Sequence, residues 1–361
     1  MPKVSIIIAV YNVEPYLRRS LDSVCNQTLD DIEIICINDA STDNSLEILR
    51  EYEQKDKRVK VINLEQNSGA AVARNKGLDV ATGEYLGFVD PDDEIVLNFY
   101  EELYKKAKEE DADIVKCKRK NINVDGTVYY TKLNDIIKEK GKYYFSFEWQ
   151  TAIYRHQIII DNNIRFPEEC RKAQDIVFLS RVVFKADKLV LIDNVEYIYY
   201  KRDDSLNAKK IPLESIKSAL KAISLLAEIV NESDLYEKDK NTYIKLFSKK
   251  IHIILDFTLY QNDSIEAKRL CAKNIIELFY GCKDTKLLEE VFLYKHLLPL
   301  IKKKDVNGLT KIIKNYRNYE DALQKPLTFW QKIFSVINRK NHKVITVLGI
   351  KFKIRRKNAE S

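Results

Sequence analysis

Two rhythms of hydrophobic and polar positions run through the first hundred residues. Val4–Val10 and residues 32–37, 59–64 and 85–89 are apolar-rich runs of strand length. Each of the first three leads through a loop into apolar positions three and four apart. Leu17, Leu21 and Val24 follow from about Glu14, then Leu46, Leu49 and Tyr52 after Ser41 and Thr42, then Ala73 and Leu78 after Asn67-Ser68-Gly69. Runs that are apolar throughout predict strands buried on both faces, and the 3.6-residue spacing predicts helices with one buried side. Ser41 or Thr42 is the expected cap of the second helix. Such alternation predicts an α/β fold, a mainly parallel doubly wound sheet with helices on both faces.

Past residue 93 the pattern predicts a helix over 95–110, a strand over 114–117 and a hairpin at Asp125-Gly126. A helix over 149–160, an extended piece over 163–167 and a helix over 175–186 follow, the last with Val177, Phe178 and Val182 inward. From Pro212 the character changes. Helix-like stretches at 216–230, 243–259, 267–279 and 287–301 predict a helical C-terminal region, with a boundary near Asn207. Leu327, Trp330, Ile333, Phe334 and Ile337 then lie at helical spacing among Lys332, Arg339, Lys340 and Lys343, ahead of a hairpin over 344–354 around Gly349. This basic amphipathic tail, residues 326–361, suits either a membrane surface or the protein's own core.

Composition narrows the class. At 361 residues and 45% hydrophobic content the chain is an ordinary globular one. Its charge of +7 conceals an asymmetry, because the first hundred residues are acid-rich and the basic excess lies toward Arg355-Arg356-Lys357. An anionic membrane surface is thus the expected partner of the tail, with a cytoplasmic and peripheral location. Six scattered cysteines without a Cys-x-x-Cys pair argue against a zinc site or disulfide scaffold and are expected to be reduced and mostly buried. No basic and then apolar leader precedes Val4, and no stretch approaches a membrane-spanning length.

Candidate chemistry gathers at the strand ends. The run 85–89 empties into Asp90-Pro91-Asp92-Asp93, and carboxylates so close repel unless a cation joins them. In open α/β sheets that end of a strand is where ligands bind. Tyr11 can stack on a planar base, Asp39 can accept from a base N–H, and Arg74 can pair with a diphosphate. With Asp90 facing ribose or metal-bound water and Asp92 ligating Mn²⁺ or Mg²⁺, these residues suit a nucleotide diphosphate and its metal. Asp93 reads as a cap for the helix that follows.

The chain resembles the family-2 glycosyltransferases of the GT-A fold. The resemblance rests on Val4 to Asn12, Asn38-Asp39-Ala40-Ser41-Thr42-Asp43, Asn67-Ser68-Gly69 to Ala73-Arg74-Asn75-Lys76-Gly77, Gly83-Glu84-Tyr85 and Phe88-Val89-Asp90-Pro91-Asp92-Asp93, in the family's order. Weaker similarity continues through Ile164 to Pro167, Gln174 to Phe178 and Tyr200 to Ser205. It implies inverting transfer of a hexose or N-acetylhexosamine from a UDP-sugar donor to a saccharide or glycolipid hydroxyl in surface polysaccharide or lipooligosaccharide assembly. Asp175 matches the family's general base, while Gln174 stands where an acidic residue is common. The resemblance covers a GT-A domain, 1–207, with a nucleotide-sugar half (1–118) and an acceptor half (119–207); the helical region, 208–325, and the tail rest on the hydrophobic pattern alone. Trp149, Tyr154, His156 and Arg202 are acceptor-side or loop candidates.

Two rival classes remain. A sugar nucleotidyltransferase would place a Gly-rich basic loop after the first strand, and Tyr11-Asn12-Val13-Glu14 is not one. A non-catalytic carbohydrate-binding scaffold would not need the whole donor set. No Gly-x-Gly-x-x-Gly follows a strand, and the dispersed lysines argue against nucleic acid.

Overall fold

The computed structural model describes residues 1–131 and 148–202, parts of 218–232, residues 265–281 and 298–314, and the backbone of three strands between 334 and 355. Chain contacts divide it into Met1–Thr310 and Lys311–Ser361. In the first unit β1 (Val4–Val10), α1 (Glu14–Cys25), β2 (Ile32–Asn38), α2 (Ser45–Lys55), β3 (Val59–Asn63), α3 (Ala70–Val80) and β4 (Tyr85–Phe88) alternate as the periodicity predicts. They are followed by β5 (Glu94–Ile95), α4 (Phe99–Glu110), β6 (Ile114–Ile122) and β7 (Val128–Tyr130), and then, after one 3-10 turn at Trp149–Thr151, by β8 (Ala152–Arg155), α5 (His156–Asp161), α6 (Gln174–Lys185) and β9 (Leu189–Tyr200).

All nine strands join one sheet in the order β3-β2-β1-β4-β8-β6-β9-β5, with β7 on β6. The half from β3 to β4 is parallel; β8 pairs antiparallel with both β4 and β6, and β6 runs parallel to β9. The apolar strands fill two cores. Val4, Ile6, Ile8 and Val10 pack with Leu17, Leu21 and Val24 of α1, Leu49 of α2 and Leu103 of α4. Ile7 on the opposite side packs with Ala73 and Leu78 of α3 and Phe178 and Val182 of α6. Side chains that alternate across a strand therefore serve both layers, which is why β1 cannot alternate in polarity.

Several expectations change. The fourth helix starts at Phe99 rather than 95, because Glu94 and Ile95 pair with Ile198 and Tyr197 of β9. The expected helix over 149–160 is a 3-10 turn, a strand and a short helix, since β8 is taken into the sheet between β4 and β6. Ser41 and Thr42 do not cap α2: both bond to Asn12, and Asp43 accepts the Ser45 N–H at 3.0 Å instead. Ile48, not Leu46, joins Leu49 and Tyr52 on the buried side of that helix.

Helices occur at Ile265–Gly281 and Leu298–Lys302, as the helical region predicts, and Val306–Lys314 is helical too. The boundary near Asn207 and the stretch 243–259 lie outside the described residues. In the second unit β10 (Phe334–Arg339), β11 (His342–Val347) and β12 (Ile350–Arg355) form an antiparallel three-stranded sheet. The expected strands of the hairpin pair antiparallel, Val347 with Ile350, Gly349 itself lying outside the described residues, but Phe334 and Ile337 belong to a strand rather than an amphipathic helix. Val336 and Ile337 are β-branched and pair with Ile345 and Val344, so strand pairing overrides a spacing that also fits a helix. Leu327, Trp330 and Ile333 lie outside the described residues. Among the described residues no helix is long and apolar enough to cross a membrane, and Cys25, Cys36, Cys117, Cys170 and Cys271 are free, all but Cys25 buried.

Candidate active site

The loops after β1 and β2 fasten to each other. Asn12 donates its N–H to Ser41 Oγ (3.1 Å) and accepts the Thr42 N–H (2.7 Å), and Asp43 accepts the Glu14 N–H (3.0 Å). Asn12 and Ala40 both adopt left-handed φ values, 50° and 54°. Tyr11, which leads into this knot, is 45% exposed and so has a ring face to offer a ligand. Asp39 is buried, and its two carboxylate oxygens accept the N–H groups of Ser68 (2.7 Å) and Gly69 (2.8 Å). Gly69, at φ 92°, lets the chain turn so that both donors face Asp39 just before α3 starts. Asp39 thus anchors the loop that leads to Arg74, a role the sequence does not announce.

Arg74 pairs with Asp90, Nη2 to Oδ1 at 3.0 Å. Its guanidinium lies 4.4 Å from the Trp149 ring and 5.5 Å from that of Phe166. Those rings belong to an aromatic cluster in which Phe88 meets Trp149 at 4.7 Å and Phe178 at 5.6 Å, while Phe166 stacks on Phe178 at 4.0 Å. Trp149 is therefore a buried floor under Arg74. Tyr154 and His156, expected on the acceptor side, are also buried: the Tyr154 hydroxyl donates to the Trp149 carbonyl, and His156 Nδ1 lies 2.9 Å from Gly83 O. Asn75, next to Arg74, bonds both the N–H and the carbonyl of Phe166 and so holds that segment against α3.

Phe178 is on α6, whose second residue is Asp175. The residue before the helix, Ala173, has a left-handed φ of 59° and no side-chain cap bond. Asp175 is thus inside the first turn and not the cap. Burial raises its pKa above the ordinary carboxylate value, the positive Arg74 and the Ile176 N–H work to lower it, and Asp90 works to raise it. Arg74, Asp90 and Asp175 accordingly share one electrostatic site, although 101 residues separate the first from the last in the chain. Gln174 beside it is buried, and its Oε1 has no hydrogen-bond partner.

Asp92 pairs with Arg202, Oδ2 to Nη2 at 2.5 Å, and the Arg202 guanidinium also lies 4.3 Å from the Tyr16 ring. Burial and the neighbouring Asp90 raise the Asp92 pKa. Asp93 is fully buried, and burial, Asp90 and Asp92 push its pKa well above the ordinary range. It is no helix cap: its carboxylate takes the Tyr197 hydroxyl (3.0 Å) and the Tyr200 N–H (3.2 Å) of β9. Arg19 donates to the Asp92 carbonyl at 2.9 Å and pairs with Glu94 at 2.6 Å. Neither Arg19 nor Tyr197 stands out in the sequence, because their partners are more than seventy residues away.

Among the described residues no three His, Cys, Asp or Glu side chains are grouped so as to hold a metal ion. Asp90 and Asp92 instead offer a partial set of hard oxygen donors, the kind that Mg²⁺ or Mn²⁺ completes with phosphate oxygens and water. A guanidinium is paired with each carboxylate, and the oxygen chemistry of Asp90 and Asp92 fits such an ion.

Residues 5–170 match the description "Glycosyl transferase family 2". A poly(ribitol-phosphate) beta-glucosyltransferase of Bacillus spizizenii is 35% identical over 74% of this chain, which spans only 42% of that protein. The Escherichia coli protein described as an uncharacterized glycosyltransferase, YibD, is 31% identical over 74% of this chain and 78% of its own length. Crystal structures of S. aureus TarS 1-349, with UDP and with UDP-GlcNAc, share the fold at 21% identity, with TM-scores of 0.71 and 0.69 over 98% of this chain and 98% and 99% of theirs. The order of the matched loops and the strand ends they decorate agree with these likenesses: the chain belongs to glycosyl transferase family 2 and has the GT-A fold.

Proposed function

We propose that the protein transfers a hexose or N-acetylhexosamine, with inversion, from a UDP-sugar to a hydroxyl of a cell-surface glycan or glycopolymer. The observation that carries this reading is the shared electrostatic site of Arg74, Asp90 and Asp175 at the sheet edge where Tyr11 and Asp39 lie. The names of the relatives support it. A β-glucosyl product made from the α-linked sugar of a nucleotide donor requires inversion, and UDP or UDP-GlcNAc occupies the solved neighbours.

Inversion in one displacement requires the acceptor oxygen, the anomeric carbon and the departing phosphate oxygen in line, so positioning supplies much of the rate. Tyr11 stacks on the uracil, Asp39 receives its N–H, and Asp90 orients the ribose. Asp175 removes the acceptor proton as the oxygen attacks; its raised pKa makes it a stronger base than an ordinary aspartate. Arg74 and Arg202 face the negative charge that develops on the diphosphate. Asp92, with a contribution from Asp90, would hold Mn²⁺ or Mg²⁺, which would supply Lewis-acid stabilisation of that charge.

The test uses purified full chain, UDP-glucose and UDP-GlcNAc with Mn²⁺, and mass spectrometry of donor hydrolysis or transfer. Asp175→Asn should lower turnover by roughly a hundredfold or more, while UDP affinity stays near wild type. Equal loss of binding and turnover would remove Asp175 as the base. Donor binding by wild-type protein without turnover would favour a carbohydrate-binding scaffold.

A further inference from the structure

The Asp90–Asp93 turn is tied to strand β9 by a buried bridge. The Asp90 N–H donates to Tyr197 Oη at 3.0 Å, and that hydroxyl donates to Asp93 Oδ2, also at 3.0 Å. The other Asp93 oxygen takes the Tyr200 N–H at 3.2 Å, and the Asp93 N–H closes the turn onto the Asp90 carbonyl at 3.0 Å. Asp93 and Tyr197 are both fully buried, and the Tyr197 ring packs 6.2 Å from Phe99. Packing alone does not call for this arrangement. A phenylalanine would fill the ring's place, and a carboxylate buried beside two others is costly unless its bonds do something a hydrocarbon cannot.

What the bonds fix is a distance. Tyr200 is the last residue of β9, and Arg202, which pairs with Asp92, is two residues beyond it. Two residues of chain span at most about 7 Å. Holding the Tyr200 N–H on Asp93 therefore keeps Arg202 within reach of Asp92, and holding the Asp90 N–H on Tyr197 sets where the Asp90 and Asp92 carboxylates point. We infer that Tyr197 and Asp93 are positioning residues of the diphosphate–metal site, which register strand β9 and its Arg202 against the Asp90–Asp92 turn. This rests on the donor site proposed above. Neither residue touches the donor; both act through Asp90, Asp92 and Arg202.

Titration calorimetry of full-length protein with UDP, in EDTA and in Mn²⁺, separates this from a purely structural role. Tyr197→Phe removes one hydroxyl and keeps the ring. Its UDP affinity in EDTA should match wild type, while the gain in affinity that Mn²⁺ confers should fall roughly tenfold, the scale of one misaligned buried bond. Tyr85→Phe is the control: that ring is equally buried, and its hydroxyl donates to the Ala112 carbonyl at 2.8 Å, away from the carboxylates. It should lose comparable thermal stability with the full Mn²⁺ gain intact. Asp93→Asn keeps an acceptor for the Tyr200 N–H and should retain part of the gain; Asp93→Ala should retain none. A folded Tyr197→Phe protein with the wild-type Mn²⁺ gain overturns this inference alone. Wild-type protein that binds UDP equally with and without Mn²⁺ overturns it together with the donor-site reading.

Discussion

Asp175 carries the sharpest expectation at the scale of single residues. As a base it must be ionised, so kcat/KM should fall as pH drops through its folded-state pKa, and burial places that limb above the ordinary carboxylate range. Arg74 opposes the shift by favouring the charged form. Arg74→Gln should therefore move the acid limb to higher pH, in addition to weakening diphosphate binding. A limb that stays put or moves down would show that Arg74 does not act on Asp175. The positions of Tyr11, Asp39, Asp90 and Asp92 just past strands were legible from local periodicity, and that of Arg74 near the start of α3, whereas Asp175 and Arg202 were singled out by family resemblance and loop position. Their partners were not legible. Asp93 looks like a cap because a helix soon follows, yet its partners Tyr197 and Tyr200 are over a hundred residues away. Trp149, Tyr154 and His156 have polar tips that read as surface chemistry until the fold shows all three buried, Tyr154 and His156 with their polar atoms on backbone carbonyls.

At the scale of elements, strained residues mark the joints of the site. Asn12, Ala40 and Ala173 hold left-handed backbone ahead of α1, α2 and α6, where a side chain costs roughly 1 kcal/mol or more. Ala173→Gly relieves that cost, partly offset by the freer unfolded chain. The expected net gain is about 0.5–1 kcal/mol, seen as a rise of about 1–3 °C in Tm by differential scanning fluorimetry. Turnover should fall, because glycine loosens the start of α6 and with it the aim of Asp175. A lower Tm would show that the left-handed turn is not strained. Sequence periodicity placed α1, α2, α3 and α6 because each packs one apolar side on a sheet layer. It failed over 149–160, where pairing with the distant strands β4 and β6 decides, and at Phe334 and Ile337, where pairing with the adjacent β11 decides, because a short apolar spacing fits either period.

For the whole molecule, Glu33 couples the parallel half of the sheet to pH. It is buried on β2 and binds Ser5 of β1 (2.6 Å), Lys60 of β3 (2.7 Å), and the N–H and hydroxyl of Thr82 before β4 (2.7 and 2.8 Å). Burial alone would raise its pKa, but the bonds from Lys60, Ser5 and Thr82 outweigh it and hold the carboxyl at about 2, down from 4.5. A depressed folded-state pKa gives stability that is present above the unfolded value and is lost as pH falls toward the folded one. Glu33 thus contributes about 3 kcal/mol at neutral pH, lost between roughly pH 4.5 and 2. Glu33→Gln should lower Tm at pH 7 by several degrees and flatten the slope of stability against pH across that window, while the mutant and wild-type curves converge near pH 2. Urea unfolding followed by tryptophan fluorescence at a series of pH values reads this directly. A mutant slope as steep as wild type would mean that acid sensitivity resides in other carboxylates, and that the four-way tie at the base of the sheet is held without the charge on Glu33.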